Sequence, residues 1–168
     1  MEFVDVTVYY LEMLAAPPPS TEPPGQGIIV RHIPSPAVAY YRSLYDAVGK
    51  DYYWLSRRKL SDGALQAILS DPAVEMHVLH VDGVAAGFVE LDRRQSNEIE
   101  IVQFGLTPEF IGRGLGKWFL NWIVDRAWSY QPSRLWLHTC TLDHPAAVPN
   151  YLKAGFAIVK EENIRRER

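Results

Sequence analysis

"TPEFIGRGLGKWFL", Thr107 to Leu120, sets three glycines at alternate positions ahead of a run with helical spacing. Leu115, Trp118, Phe119, Trp122, Ile123, Arg126 and Ala127 fall on one face of that helix. The stretch before it, "NEIEIVQFGLT", is strand-like, so the glycines occupy a strand-to-helix turn. Two phosphate-loop spacings fail here. The pattern G-x-x-x-x-G-K-[ST], aligned on Gly116-Lys117, meets Ile111 where its first glycine belongs and Trp118 where its hydroxyl belongs. The dinucleotide pattern G-x-G-x-x-G lacks its third glycine from either Gly112 or Gly114. The composition still suits an anion. Glycines let backbone N–H groups approach closely, and a helix N-terminus leaves donors unpaired. Arg113 and Lys117 add formal charge. On these residues alone, a bare glycine turn and an anion cradle both stand.

Working outward, the first dozen residues set Phe3, Asp5 and Thr7 against Val4, Val6 and Val8 and read as a strand. "AAPPPSTEPPGQG" follows, where proline fixes φ and removes donors, so neither helix nor central strand survives. This divides the chain into a strand or arm (1–14), a Pro-rich linker (15–27) and one domain (28–168). The arm is expected at a sheet edge. "GIIVRHI" is a strand, and "SPAVAYYRSLYDAVG" a helix with Ser35 as N-cap, Pro36 at its first position and Gly49 as its stop. "SDGALQAILSDP" is a helix capped by Ser61. "VEMHVLHV" and "VAAGFVELD" are strands joined by the hairpin signal Asp82-Gly83. After the glycine turn and its helix come a strand, "SRLWLHTCT", a short helix ended by Gly155, and a last strand, "FAIVKEENI". The order predicts an α+β fold: a mixed, mainly antiparallel central sheet flanked by helices.

With 168 residues the chain holds one domain with a core of its own. A net charge of −3 offers no basic stripe for nucleic acid. The start carries no basic signal, and no segment approaches the ~20 apolar residues of a membrane span. Cys140 is the only cysteine, so no intrachain disulfide forms and a cytoplasmic, reducing setting is expected.

"EIEIVQFGLTPEFIGRGLGKWFL" resembles motif A of the GNAT superfamily, the acetyl-CoA-dependent N-acetyltransferases. That motif is a strand, a pyrophosphate loop of form [QR]-x-x-G-x-[GA], and a helix. Here Ile111 stands at the leading position, and Gly114 and Gly116 match the glycines. "HPAAVPNYLKAGF" resembles motif B, in which a Tyr precedes a Gly-Phe pair by four residues, as Tyr151 precedes Gly155-Phe156. His144 stands where the family often has Asn, seven residues before the Tyr. The resemblance spans Val74 to Ile158 and implies the GNAT-like acyl-CoA N-acyltransferase fold.

It implies that the amides of Arg113, Gly114, Leu115, Gly116 and Lys117 bind the pyrophosphate of acetyl-CoA. Phe104, Gly105 and Leu106 would line the pantetheine arm, with His144 a further cofactor contact. The strand is expected to part from its neighbour there, with a bulge near Gln103-Phe104. Tyr151 is the implied general acid for the departing thiolate, and Glu100 the implied base for the amine. The residues alone also allow a core tyrosine and a solvated glutamate. Tyr52, Tyr53 and Trp54 are candidate walls of an acceptor pocket. Arg57, Arg58 and Lys59 read as a solvated helix face. His138, Cys140, Asp143 and His144 form a reactive-looking cluster without metal-ligand spacing, and Cys140 reads as a buried thiol on a central strand. No metal is expected. The alternatives are a non-catalytic acyl-CoA sensor on the same fold and a thiol-dependent transferase using Cys140. A homodimer through exposed tryptophans of the glycine-led helix is a further expectation.

Overall fold

The computed structural model describes residues 2–52, 54 and 56–167. Seven strands form one sheet in the order β2-β3-β4-β5-β6-β1-β7. They are β1 (Phe3–Met13), β2 (Ile28–His32), β3 (Val74–Val81), β4 (Val84–Asp92), β5 (Glu98–Leu106), β6 (Arg134–Cys140) and β7 (Ala157–Glu167). Every neighbouring pair is antiparallel except β5 and β6. Four helices flank the sheet: α1 (Val38–Gly49), α2 (Asp62–Leu69), α3 (Leu115–Trp128) and α4 (Ala147–Ala154).

Local chemistry accounts for most boundaries. Ser61 accepts the amide of Ala64 at 3.1 Å and caps α2. Asp82 and Gly83 both take positive φ, which suits the tight β3–β4 hairpin. Gly155, at φ +113°, turns the chain out of α4. One cap differs from expectation. Ser35 lies at φ +45° in a turn between two prolines, and α1 begins only at Val38, with Ala37 before it. No side chain caps α1; the burial of Tyr41, Leu44, Tyr45 and Val48 against the sheet holds it. Gly49 also does more than stop the helix, since a Cβ there would lie 2.5 Å from the Trp54 ring.

The N-terminal strand is not at an edge. β1 lies between β6 and β7, with Leu11 facing Leu137 on one side and Ile158 on the other. β6, α4 and β7 make a split β-α-β unit, and β1 fills its gap. Burial explains why. Val6 and Val8 pack with Cys140 on one face, and Leu11 and Met13 enter the main core on the other. An edge position would leave one side of the strand unpaired.

The linker after β1 crosses α3 to reach β2. The Ser20 amide donates to Asp125 at 2.7 Å, and the Trp118 indole donates to the Thr21 carbonyl at 2.8 Å. Trp118 under this linker, Trp122 against His77 and Phe119, and Trp128 at Met13 are each half-buried within their own chain, so the aromatic face expected to be exposed for a dimer is partly covered. α3 and α4 cover one face of the sheet, and α1 and α2 pack as a separate apolar cluster with Phe88 on the other.

Candidate active site

β5 and β6 run parallel and pair only from Glu98–Arg134 to Glu100–Trp136. Beyond that point they part. On its other side, β5 stays paired with β4, but Glu90 faces Gln103 and Leu91 faces Ile101, so Val102 is an extra residue. The bulge expected near Gln103-Phe104 lies one residue earlier. Past it, Phe104, Gly105 and Leu106 keep their β4 pairing while no strand occupies their β6 side.

A cleft of about 390 Å³ opens at these parted strand ends. It brings together Phe104, Gly105, Leu106, Ile111, Gly112, Gly114, Gly116, Lys117, Tyr52, Trp54, His144 and Tyr151. Carboxyl ends of parallel strands are where the open sheet leaves room for ligands. Gly105 has no side chain because a Cβ would lie 2.5 Å from Val48 Cγ1.

Gly112 and Gly114 sit at φ +85° and +78°, conformations that side chains resist, and nothing lies within 4 Å of a Cβ at either. Gly114 is the N-cap of α3, and no side chain caps that helix. Its first amides therefore point into open space at the positive end of the dipole. Not every expected loop residue faces the cleft. The Arg113 guanidinium stacks on Phe110 at 5.1 Å, and the Leu115 side chain enters the core, so these two can contribute only backbone amides.

Tyr151 is buried on α4 between Phe104 and Phe156, with ring centroids 6.3 and 5.9 Å away. Burial and the Asp143 charge push its phenol well above the ordinary value. His144 Nδ1 accepts the Ala146 amide at 3.0 Å, which leaves Nε2 to carry the ring proton, and Tyr52 meets the ring edge-on. Trp54 stands against Tyr45 and Phe88. Tyr53 lies outside the described residues.

Glu100 is not in this cleft. It lies on the opposite face of β5, below the bulge, with Oε2 3.9 Å from His138 Nε2. Burial and the charges of Asp92 and Glu90 push its carboxyl from 4.5 up to about 7. His138, held low by burial, opens onto a second cavity of about 360 Å³. Arg57, expected in solvent, instead turns inward to the buried Glu90, which also accepts the Tyr41 hydroxyl. The pattern "SRRKL" hid this because Arg57 stands among exposed Ser56, Arg58 and Lys59. Cys140 is a buried thiol raised by its burial, as the sequence implies, and Arg166 Nη1 lies 3.3 Å from its sulfur.

One residue of the reactive-looking cluster, given no role of its own in the sequence, stands out. Asp143 lines both cavities, and its carboxylate accepts from the Thr139 hydroxyl, the Cys140 amide and the Trp54 indole. Its signal was positional: an acid three residues past the end of a strand beside the parted pair. A third group, His32, Glu75 and His77, is close enough to suggest a metal. Glu75, however, already binds Arg93, Arg126, Tyr130 and His77, so cations of the chain itself hold it ionised.

The acetyltransferase (GNAT) family model matches residues 40–156, well over half of the chain. The chain belongs to the GNAT acetyltransferase family. Its fold is that of the family's solved members. A GCN5-related N-acetyltransferase from Sphaerobacter thermophilus is 16% identical with TM-score 0.70, over 95% of this chain and 50% of that one. A GNAT-family protein from Novosphingobium aromaticivorans is 19% identical with TM-score 0.63, over 95% and 63%. A spermidine N-acetyltransferase from Vibrio cholerae, a dodecamer, is 19% identical with TM-score 0.59, over 79% and 81%. The GNAT chain thus spans half to two-thirds of the length of the first two. No curated protein sequence matches it. Among its described residues no helix is long and apolar enough to cross a membrane.

Proposed function

We propose that this GNAT protein is an N-acetyltransferase that moves an acetyl group from acetyl-CoA to a primary amine of a small-molecule acceptor, by direct transfer in a ternary complex. The observation that carries it is the parted β5–β6 ends, which open a cleft between an uncapped α3 N-terminus and Tyr151. The residues present fit the cofactor. Gly112 and Gly114 leave space beside their backbone for a pyrophosphate, with Lys117 adjacent. Phe104, Leu120, Ala146 and Ala147 give an apolar wall for a pantetheine arm.

When bound, acetyl-CoA supplies a thioester whose carbonyl carbon takes the amine and whose sulfur leaves as thiolate. The chain's part is to hold, orient and move protons. The amides of residues 112–117 hold the pyrophosphate, and the free β6 side of Phe104–Leu106 aligns the arm. Glu100, poised near neutrality, takes the first proton of the ammonium, with a water to bridge the distance from the cleft. Tyr151 keeps its proton until an anion forms beside it, gives it to the sulfur and regains one from the acylated nitrogen. One proton leaves per turnover. Tyr52 and Trp54 wall the acceptor side.

Cofactor-free protein should show a raised melting temperature and heat of binding with acetyl-CoA; the absence of both would sink the reading. The alternative, a non-catalytic acyl-CoA sensor, draws on the apolar Ile111 lining the cleft. Turnover of acetyl-CoA with amines separates the two.

A further inference from the structure

Trp54 lines both the donor cleft and the second cavity, and of the described residues only Asp143 does the same. Its ring packs against the apolar cluster of α1 and α2. A Cβ on Gly105 would lie 3.6 Å from its ring carbon Cη2, and one on Gly49 only 2.5 Å from Cδ2. The two glycines leave the room that the indole fills. Tyr45 and Phe88 bear on it from the core, with ring centroids 5.4 and 6.3 Å away. The indole N–H donates to Asp143 Oδ1 at 3.3 Å and ties the ring edge to the turn after β6. One ring is thus held from α1, β4, β5 and that turn.

The free side of β5 gives the cleft a direction. A Cβ on Gly116 would lie 3.6 Å from Leu106 Cδ1, so Leu106 adjoins the first turn of α3. Gly105 comes next and adjoins Trp54, and Phe104 lies beside Tyr151. Gln103 and Val102, further along, line the second cavity. A CoA arm with its pyrophosphate on the α3 amides therefore runs back along β5. It brings its sulfur to Tyr151 and aims its acyl group at the second cavity. Trp54 stands across that line. Behind it, the cavity of about 360 Å³ offers Val8, Tyr10, Tyr45 and Val102 as an apolar lining. A methylene buried there would strengthen binding about fourfold. The fold has room for a longer acyl chain and a fixed ring in front of that room.

We propose that Trp54 is the stop that sets acyl length, which makes acetyl-CoA the donor and shuts out acyl-CoAs with longer chains. This rests on the acetyltransferase reading above and deepens it, since the family fold alone leaves the acyl length open. A Trp54 that only packed α1 against the sheet would, when truncated, weaken every CoA ligand alike, whatever its chain length.

The test measures dissociation constants of CoA, acetyl-CoA, butyryl-CoA and hexanoyl-CoA by calorimetry, on wild type and on Trp54→Ala. Wild type should bind hexanoyl-CoA at least about tenfold more weakly than acetyl-CoA, because the longer chain overpacks the ring. Trp54→Ala joins the two cavities. Hexanoyl-CoA should then bind at least as tightly as acetyl-CoA, a change of about tenfold or more in the ratio. Equal affinities in the wild type, or an unchanged ratio in the variant, overturn the stop. Should Trp54→Ala fail to fold, Trp54→Leu decides in its place, since it keeps an apolar contact for Tyr45 and Phe88. Its butyryl-CoA to acetyl-CoA affinity ratio should exceed that of wild type about fivefold or more, and an unchanged ratio again overturns the stop. Absence of binding by CoA itself sinks the acetyltransferase reading and the stop with it. CoA binding without selection by chain length removes the stop alone.

Discussion

Arg57 Nη2 lies 2.6 Å from Oε2 of Glu90, a carboxylate fully buried between β4 and α1. The pair fastens the segment carrying Tyr52 and Trp54 to the middle of the sheet. Arg57→Ala leaves the buried charge alone and is expected to cost about 3–5 kcal/mol in urea unfolding. Glu90→Gln should cost less, because the amide still accepts from Tyr41 and Arg57. The reverse order would show that the pair is not what holds the segment.

Gly114→Glu places a side chain where φ is +78° and a negative charge at the proposed pyrophosphate cradle. Acetyl-CoA should then no longer raise the melting temperature. Gly114→Ala carries the strain alone, about 1–2 kcal/mol, and should keep a measurable shift. An unchanged shift in Gly114→Glu would remove the loop from the cofactor site.

Tyr151→Phe keeps the packing against Phe104 and Phe156 and removes only the phenolic hydroxyl. Turnover is expected to fall about a hundredfold or more, with acetyl-CoA affinity within about twofold of wild type. Full turnover would end the general-acid assignment.

Glu100 gives a pH signature of two kinds. As a base it must be ionised, so turnover should rise through about 7 and lose that limb in Glu100→Gln. Its folded-state value is raised above the ordinary 4.5, so the folded protein holds this proton more tightly than the unfolded chain. That contribution to stability is complete below about 4.5 and is lost as pH rises through about 7. Glu100→Gln should therefore gain in melting temperature over wild type between about pH 5 and about pH 8. A difference constant across that window would contradict the raised value.

The element order and hairpins were legible because alternation, Ser61, Asp82-Gly83 and Gly155 act locally. The glycine loop was legible once Tyr151 and Gly155-Phe156 appeared downstream. What stayed hidden depends on contacts between distant segments. Nothing in "FVDVTVYYLEM" says that β6 and β7 leave a gap one strand wide. Arg57 and Arg58 are neighbours with the same charge, and only Glu90, far off in sequence, separates buried from exposed. Asp143 likewise gains its meaning from Trp54 and from the end of pairing between β5 and β6.

The seating of β1 between β6 and β7 also governs the order in which the protein can assemble. Val6 meets Ile164 from far away in sequence, so β1 has no partner until β6 and β7 are made. Until then an apolar strand waits on a proline-rich tether, and ring closure over such a span is slow. Newly made chains therefore pass through a stage with one strand unpaired, when stickiness to other chains, more than final stability, sets the yield of folded protein.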